Sequence, residues 1–294
     1  MTLEGLAHKQ VFLGTSSWKY EGWKGLVYNK AYQSKKEFET HCLEEYPYTC
    51  VGVDHTYYAY PLKKTFATYC KQTKALFGLK ATEFVTVVKF PKLPRYGKLA
   101  GQNNPDFLNP DVFHQQFLAP IEEFQAHIGV VMFEFSHFHQ GMIENGRELL
   151  KRLGAFFAKL PRDRFRFAIE LRNHTWITKD YFAFLKDQGL GHVFNSWTRM
   201  PTIGEQLKVW NGLSLPFLAA RVLLTPGRPY EKAVEAFSPY DRIQDEQPEL
   251  RKDSAYLIER AIQLGIPAFV FVNNRAEGCA PKTIEGILKH TSLS

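Results

Sequence analysis

Eight times along this chain a short β-branched or aromatic run gives way to a stretch with helical spacing, and this alternation narrows the possible folds more than any other feature. The runs predict strands over residues 11–18, 48–58, 84–90, 129–136, 165–172, 190–197, 217–224 and 267–273. Between and after them, residues 34–46, 62–73, 111–128, 146–160, 179–188, 202–209, 249–264 and 281–290 read as helices. Pro120 predicts a break in the third of these. Ser34 followed by Glu37 has the spacing of a capping box at the start of the first. Strands alternating with helices imply a parallel sheet. Eight units in 294 residues, with no linker or break in composition, predict an α/β fold: a single (β/α)8 TIM barrel spanning residues 1–294. A doubly wound open sheet is the alternative. It fits less well, because no G-x-G-x-x-G follows the first strand.

The fifth strand is the most informative. In Phe165-Arg166-Phe167-Ala168-Ile169-Glu170-Leu171-Arg172, the large apolar residues share one face and Ala168, Glu170 and Arg172 the other. The first face suits a layer of helices and the second a polar interior. The site of such a barrel lies at the C-terminal ends of its strands. Alternation then places Asp54, Lys89, Glu134, Glu170, Arg172 and Arg221 inward at those ends, three carboxylates and three cations on five strands. Interior packing needs fewer charges, although mutual neutralisation of buried pairs is the competing explanation. Asn273 and Asn274 follow the eighth strand, as ligand contacts or as a turn. Trp18, Trp23, Tyr57, Tyr58 and Trp176 offer an aromatic rim. His137 and His139 have an H-x-H spacing that is more often plain surface than a metal site.

Composition sets limits on partner and compartment. The formal charge of +7 mildly favours an anionic partner, but no Lys/Arg run is dense enough to be a nucleic-acid footprint by itself. Cys42, Cys50, Cys70 and Cys279 form neither C-x-x-C nor zinc spacing, as expected of reduced thiols in a cytoplasmic protein. The first ten residues carry no apolar signal region, and no run approaches a membrane span, so no membrane partner is expected. There is no G-x-S-x-G, no Cys-His signature and no P-loop, hence no nucleotide-cofactor motif. What remains is carboxylate acid/base chemistry or metal-assisted hydrolysis, with the identity of any divalent metal and the oligomeric state left open.

Several pieces together resemble the YecE-like, or DUF72, family from Gly14 to about residue 288. They are Gly14-Thr15-Ser16-Ser17-Trp18, Val53-Asp54-His55-Thr56-Tyr57-Tyr58, Val88-Lys89-Phe90-Pro91, Ile169-Glu170-Leu171-Arg172-Asn173-His174-Thr175-Trp176, Arg221, and Phe271-Val272-Asn273-Asn274 with Gly278 and Ala280. The resemblance implies a TIM barrel similar to the endonuclease IV type, an analogy of fold that does not settle function. This chain departs from the family pattern. Asp54 stands in place of a Glu, Glu134 in place of a Gln, Asn173 in place of a His, and Leu223-Leu224 in place of a His-Gly. The missing histidines argue against a trinuclear zinc site.

The expectation is therefore a hydrolase whose barrel mouth binds a phosphate-bearing substrate, a nucleic acid or nucleotide. Glu170, Asp54 and Glu134 would be the catalytic or metal-binding groups. Lys89, Arg172, Arg221, Asn273, Asn274, Trp18, Tyr58 and Trp176 would contact the substrate. The rivals are a glycosidase-like carboxylate enzyme and a non-catalytic barrel that binds nucleic acid or protein.

Overall fold

A computed structural model shows eight parallel strands closed into a barrel in the order β1 to β8. It describes residues 2–224 and 227–292. The strands are β1 (Val11–Thr15), β2 (Cys50–Val53), β3 (Leu76–Lys80), β4 (Ile128–Phe135), β5 (Phe167–Leu171), β6 (Gly191–Asn195), β7 (Leu218–Val222) and β8 (Ala268–Val272). Five consecutive register pairs, Val11 with Ala268 through Thr15 with Val272, join β1 to β8 and complete the ring. The architecture is the (β/α)8 barrel expected from the alternation.

Strand alternation sorts the side chains. Val51, Leu79, Phe133, Ile169, Phe194 and Val270 belong to the large core between strands and helices. A second core fills the barrel itself, and Cys50, Val130, Met132, Ala168, Phe269 and Phe271 belong to it. Gly78 shows how tight that filling is: a Cβ there would lie 2.1 Å from Cζ of Phe271. The ring occupies the volume that any other residue on β3 would claim. Counting on by twos from the inner core brings Lys80, Glu134, Glu170 and Arg221 to the C-terminal ends of their strands, facing inward.

The third strand departs from expectation. Residues 84–90 are rich in β-branched side chains, yet Glu83–Thr86 is a helical turn, with the Thr82 hydroxyl accepting from the Phe84 amide. The backbone of this run is satisfied outside the barrel. Phe90 N donates to Gln102 O, Asn104 N to Val88 O and Leu108 N to Val85 O, while the Asn104 side chain donates to the carbonyls of Phe84 and Val87. The long loop after the run supplies these partners, so local strand propensity is overridden by tertiary pairing. The true strand, Leu76-Phe77-Gly78-Leu79-Lys80, is short and carries a glycine. Two helical expectations also change. The segment before β4 becomes a π-helical stretch, Phe113–Leu118, followed by a 3-10 stretch, Ala119–His127, with Pro120 at the junction. The loop after β7 contains a helix, Tyr230–Phe237, that the sequence reading missed. The capping expectation at Ser34 is half met: its hydroxyl accepts from Glu37 N, while the Glu37 carboxylate accepts from Gln33 N.

All four cysteines are free. Among the described residues no helix is long and apolar enough to cross a membrane.

Between β6 and its helices lies one buried titratable group, His192. Its Nδ1 is 2.9 Å from the Tyr181 hydroxyl and its Nε2 is 3.2 Å from Gln206 Oε1. A hydroxyl that donates and an amide oxygen that accepts fit the neutral imidazole. Burial pushes its pKa down to about 4, against an opposing effect of Gln206. Between about pH 6.5 and pH 4 the unfolded chain therefore binds a proton that the folded chain does not, and stability falls as pH falls. Urea unfolding should lose up to about 3 kcal/mol across this window from His192 alone. His192→Phe should be less stable throughout but flatter there. Equal slopes for the two proteins would refute the neutral assignment.

Candidate functional site

The inward-facing charges meet at the C-terminal mouth in one connected network. Glu134 Oε2 is 2.7 Å from Lys80 Nζ, 3.0 Å from Arg172 Nη2 and 2.7 Å from Arg221 Nη1. Glu170 Oε2 accepts from Arg221 Nη1 at 2.7 Å, and its Oε1 accepts from Arg172 Nη2 at 3.2 Å. Asp54 closes the set at 3.4 Å from Arg221 Nη2. Arg221 thus touches all three carboxylates, and β7 delivers it across the barrel axis to β2, β4 and β5.

Burial divides these groups by what they can do. Glu170 is wholly buried, and the Glu134 side chain is 6% exposed. Burial alone would raise the Glu134 carboxyl, but Arg172, Lys80 and Arg221 outweigh it and hold it well below the usual carboxylate range. A carboxylate so stabilised in its charged form is a poor proton donor and a poor base. Burial likewise opposes charge on Arg221, yet Glu170, Asp54 and Glu134 keep it protonated beyond its ordinary value. Asp54 differs, with a side chain 38% exposed and one long ionic contact.

Above the network is a cavity of about 350 Å³. Its charged lining comprises Asp54 and Glu134 against Lys80, Arg172, Arg221 and Arg275. Two aromatic side chains, Tyr58 and Trp197, complete the polar wall, and Leu223 and Leu224 give it an apolar side. The Arg172 guanidinium sits 3.9 Å from the centre of the Trp197 ring, and Lys80 Nζ 4.0 Å from that of Tyr57. Such contacts hold a cation over a ring face and fix its direction. Asn273 enters the lining too, its Oδ1 accepting from both the backbone and the Nη1 of Arg275.

Of the residues expected at the site, Asp54, Glu134, Arg172, Arg221, Asn273 and Tyr58 line the cavity, and Glu170 lies beneath its floor. Lys89 does not reach it. It belongs to the run 84–90, which lies outside the barrel, and lines a separate cavity, while Lys80 at the end of the true β3 takes the inward position. Trp18 is buried edge-on against Tyr69, and Trp23 is also in the core. Trp176 stacks on Phe138 beside a larger cleft of about 560 Å³ between neighbouring helices. That cleft has Arg147 and Asp180 as its charged members, with no convergent network. Asn274 is buried, its side chain accepting from Ala280 N, and so sets the turn into the last helix. The sequence reading missed Lys80, Trp197 and Arg275. Each follows the same signal as the others, a polar or aromatic residue at or just beyond the end of a strand.

The donor set does not fit a resident divalent cation. Each of the three carboxylates is already bonded to a guanidinium or ammonium group, and among the described residues no three His, Cys, Asp or Glu side chains are grouped to hold a metal.

Fold and site together define a (β/α)8 barrel whose mouth is organised by a buried ion network of Lys80, Arg172 and Arg221 with Asp54, Glu134 and Glu170. Within that class, residues 12–293 match the family described as "Protein of unknown function DUF72", and the chain belongs to it. A solved DUF72 family protein from Enterococcus faecalis V583 is 16% identical, covering 97% of this chain and 96% of that one, with a TM-score of 0.63. Another, from Thermotoga maritima MSB8, is 19% identical over 96% and 97% of the two chains, with a TM-score of 0.58. At such identities the likeness concerns the fold. No curated protein matches the chain.

The division between buried and exposed carboxylates can be measured. Glu134→Gln and Glu170→Gln should each cost about 3–5 kcal/mol, because each leaves buried cations without their counter-charge. Asp54→Asn should cost less than about 1 kcal/mol, as expected of a solvent-exposed contact. Thermal melts of the three variants test the order. Asp54→Asn melting as early as Glu170→Gln would overturn it.

Proposed function

We propose that the mouth of this barrel binds a phosphate-bearing substrate, a nucleic acid or nucleotide, and that the chain is a hydrolase acting on it with Asp54 as the working carboxylate. The observation that carries this reading is the convergence of four cations, Lys80, Arg172, Arg221 and Arg275, on one cavity, the first three held in place by Asp54, Glu134 and Glu170. In this reading Glu134 and Glu170 are positioning residues. They hold Arg172 and Arg221 in fixed directions before substrate arrives, so little ordering is left for the binding step. Arg172, Lys80 and Arg275 would meet the phosphate oxygens, Arg172 with the bidentate geometry that guanidinium offers. Asp54 borders the cavity and is exposed enough to take a proton from an attacking water. A glycosidase pair is less well supported, because Glu170 has no exposed surface with which to meet a sugar.

The test is titration calorimetry with inorganic phosphate, a nucleoside monophosphate and a neutral oligosaccharide. Phosphate and nucleotide should bind, more weakly as salt rises, and the oligosaccharide should not. Arg172→Ala should weaken nucleotide binding about tenfold, as expected for one lost charge-assisted contact. Asp54→Asn should retain binding while losing turnover of a phosphodiester. Tight, salt-independent binding of the oligosaccharide would refute the reading.

A further inference from the structure

The mouth is not an isolated hollow. A cavity of about 300 Å³ adjoins it, sharing Arg172 and Trp197 with it and adding Arg199. That one shares Ser136, His137 and His139 with a third cavity of about 360 Å³, walled by the loop that displaced the expected third strand. Tyr58 of the mouth and Arg95 of the third cavity are also in contact, with the guanidinium 5.2 Å from the ring centre. The three hollows therefore adjoin one another around the mouth.

Their chemistry repeats. Lys89, Lys92 and Arg95 line the third cavity beside Phe90, Tyr96 and Phe138, and Arg172 and Arg199 line the middle one beside Trp197. Among the described residues neither lining contains an Asp or a Glu. Arg95 is partly neutralised, since it pairs with the buried Glu83 at 3.0 Å. Lys89 and Lys92 are exposed, and neither forms an ion pair within 4.0 Å among the described residues. Each cavity lies at the lower end of the size range of small-molecule sites. A single phosphate or nucleotide would occupy one and leave the others exposed.

We propose that these adjoining hollows form one groove for a single strand of nucleic acid, with one phosphate in the mouth and the strand continuing past His137 and His139 to Lys89 and Lys92. The proposal rests on the reading of the mouth as a phosphate site and adds the class of substrate. Cations set beside aromatic side chains, among them Tyr58 with 54% of its surface exposed, match a backbone of phosphates that carries flat bases. Separate hollows suit unstacked bases, which a duplex does not present. An acidic peptide would satisfy the cations but not the aromatic walls.

The experiment uses the full chain and a fluorescein-labelled thymidylate strand of about twelve nucleotides, read by anisotropy against salt. The strand should bind at least tenfold more tightly than a dinucleotide. Lys89→Glu with Lys92→Glu, both on exposed positions outside the ion network, should weaken strand binding at least tenfold. The pair should also flatten the slope of log affinity against log salt by about 1.4, which is two phosphate contacts at about 0.7 each. Inorganic phosphate affinity should stay within about twofold. Equal affinity for strand and dinucleotide, an unaffected double variant, or equal competition by duplex or by polyglutamate would overturn the groove. Failure of phosphate to bind, with strand binding still dependent on Lys89 and Lys92, would instead remove the mouth reading and leave the groove. Phosphate binding without strand binding would do the reverse.

Discussion

The arrangement of the mouth depends on one guanidinium. Arg221 is almost wholly buried and touches Asp54, Glu134 and Glu170, which arrive on three other strands. An unpaired charge at that depth would be very unfavourable, so the three carboxylates and their strand registers form an interdependent set. Glu134 in turn draws in Lys80 and Arg172. Six charges from five strands are fixed by this mutual need, and the barrel end gains a rigid polar floor rather than a collapsed apolar one. Rigidity is what a binding site for a small anion requires, because donors that already point the right way need not be ordered when it arrives.

The legibility of this design in the sequence follows from how local each signal is. Glu170, Arg172, Glu134 and Arg221 sit on strands whose alternation is strong enough to fix which way each side chain points. The parity argument placed them correctly toward the barrel axis. Lys89 failed for a physical reason. Its run has better intrinsic strand character than Leu76–Lys80, but the loop near Asn104 captures its backbone, and no local signal reports a partner 15 to 20 residues away. The short β3 carries Gly78 because Phe271 fills the barrel opposite it, a cause that lies on another strand. Trp18 and Trp176 show the same limit. An aromatic residue near a strand end is equally suited to a rim or to a core, and only tertiary packing decides.

Membership of the DUF72 family and the barrel architecture agree with each other, and neither names a reaction. Function has to be argued from the site, and here the site separates two jobs that the sequence alone had merged. The carboxylates that looked catalytic by position are mostly occupied in restraining cations. The best-exposed groups bordering the cavity are Tyr58 and Asp54, while Arg172, Arg275 and Trp197 are partly buried and Lys80 and Arg221 lie as deep as Glu134.

The rings of Phe269 and Phe271 stop the barrel directly below those charges. Among the described residues the mouth is therefore closed toward the interior of the barrel. Whatever enters must leave across the same C-terminal face, so release of one occupant and capture of the next share one side of the barrel as their doorway. Traffic through that doorway, rather than events at the floor, can then set the pace of any cycle the site supports.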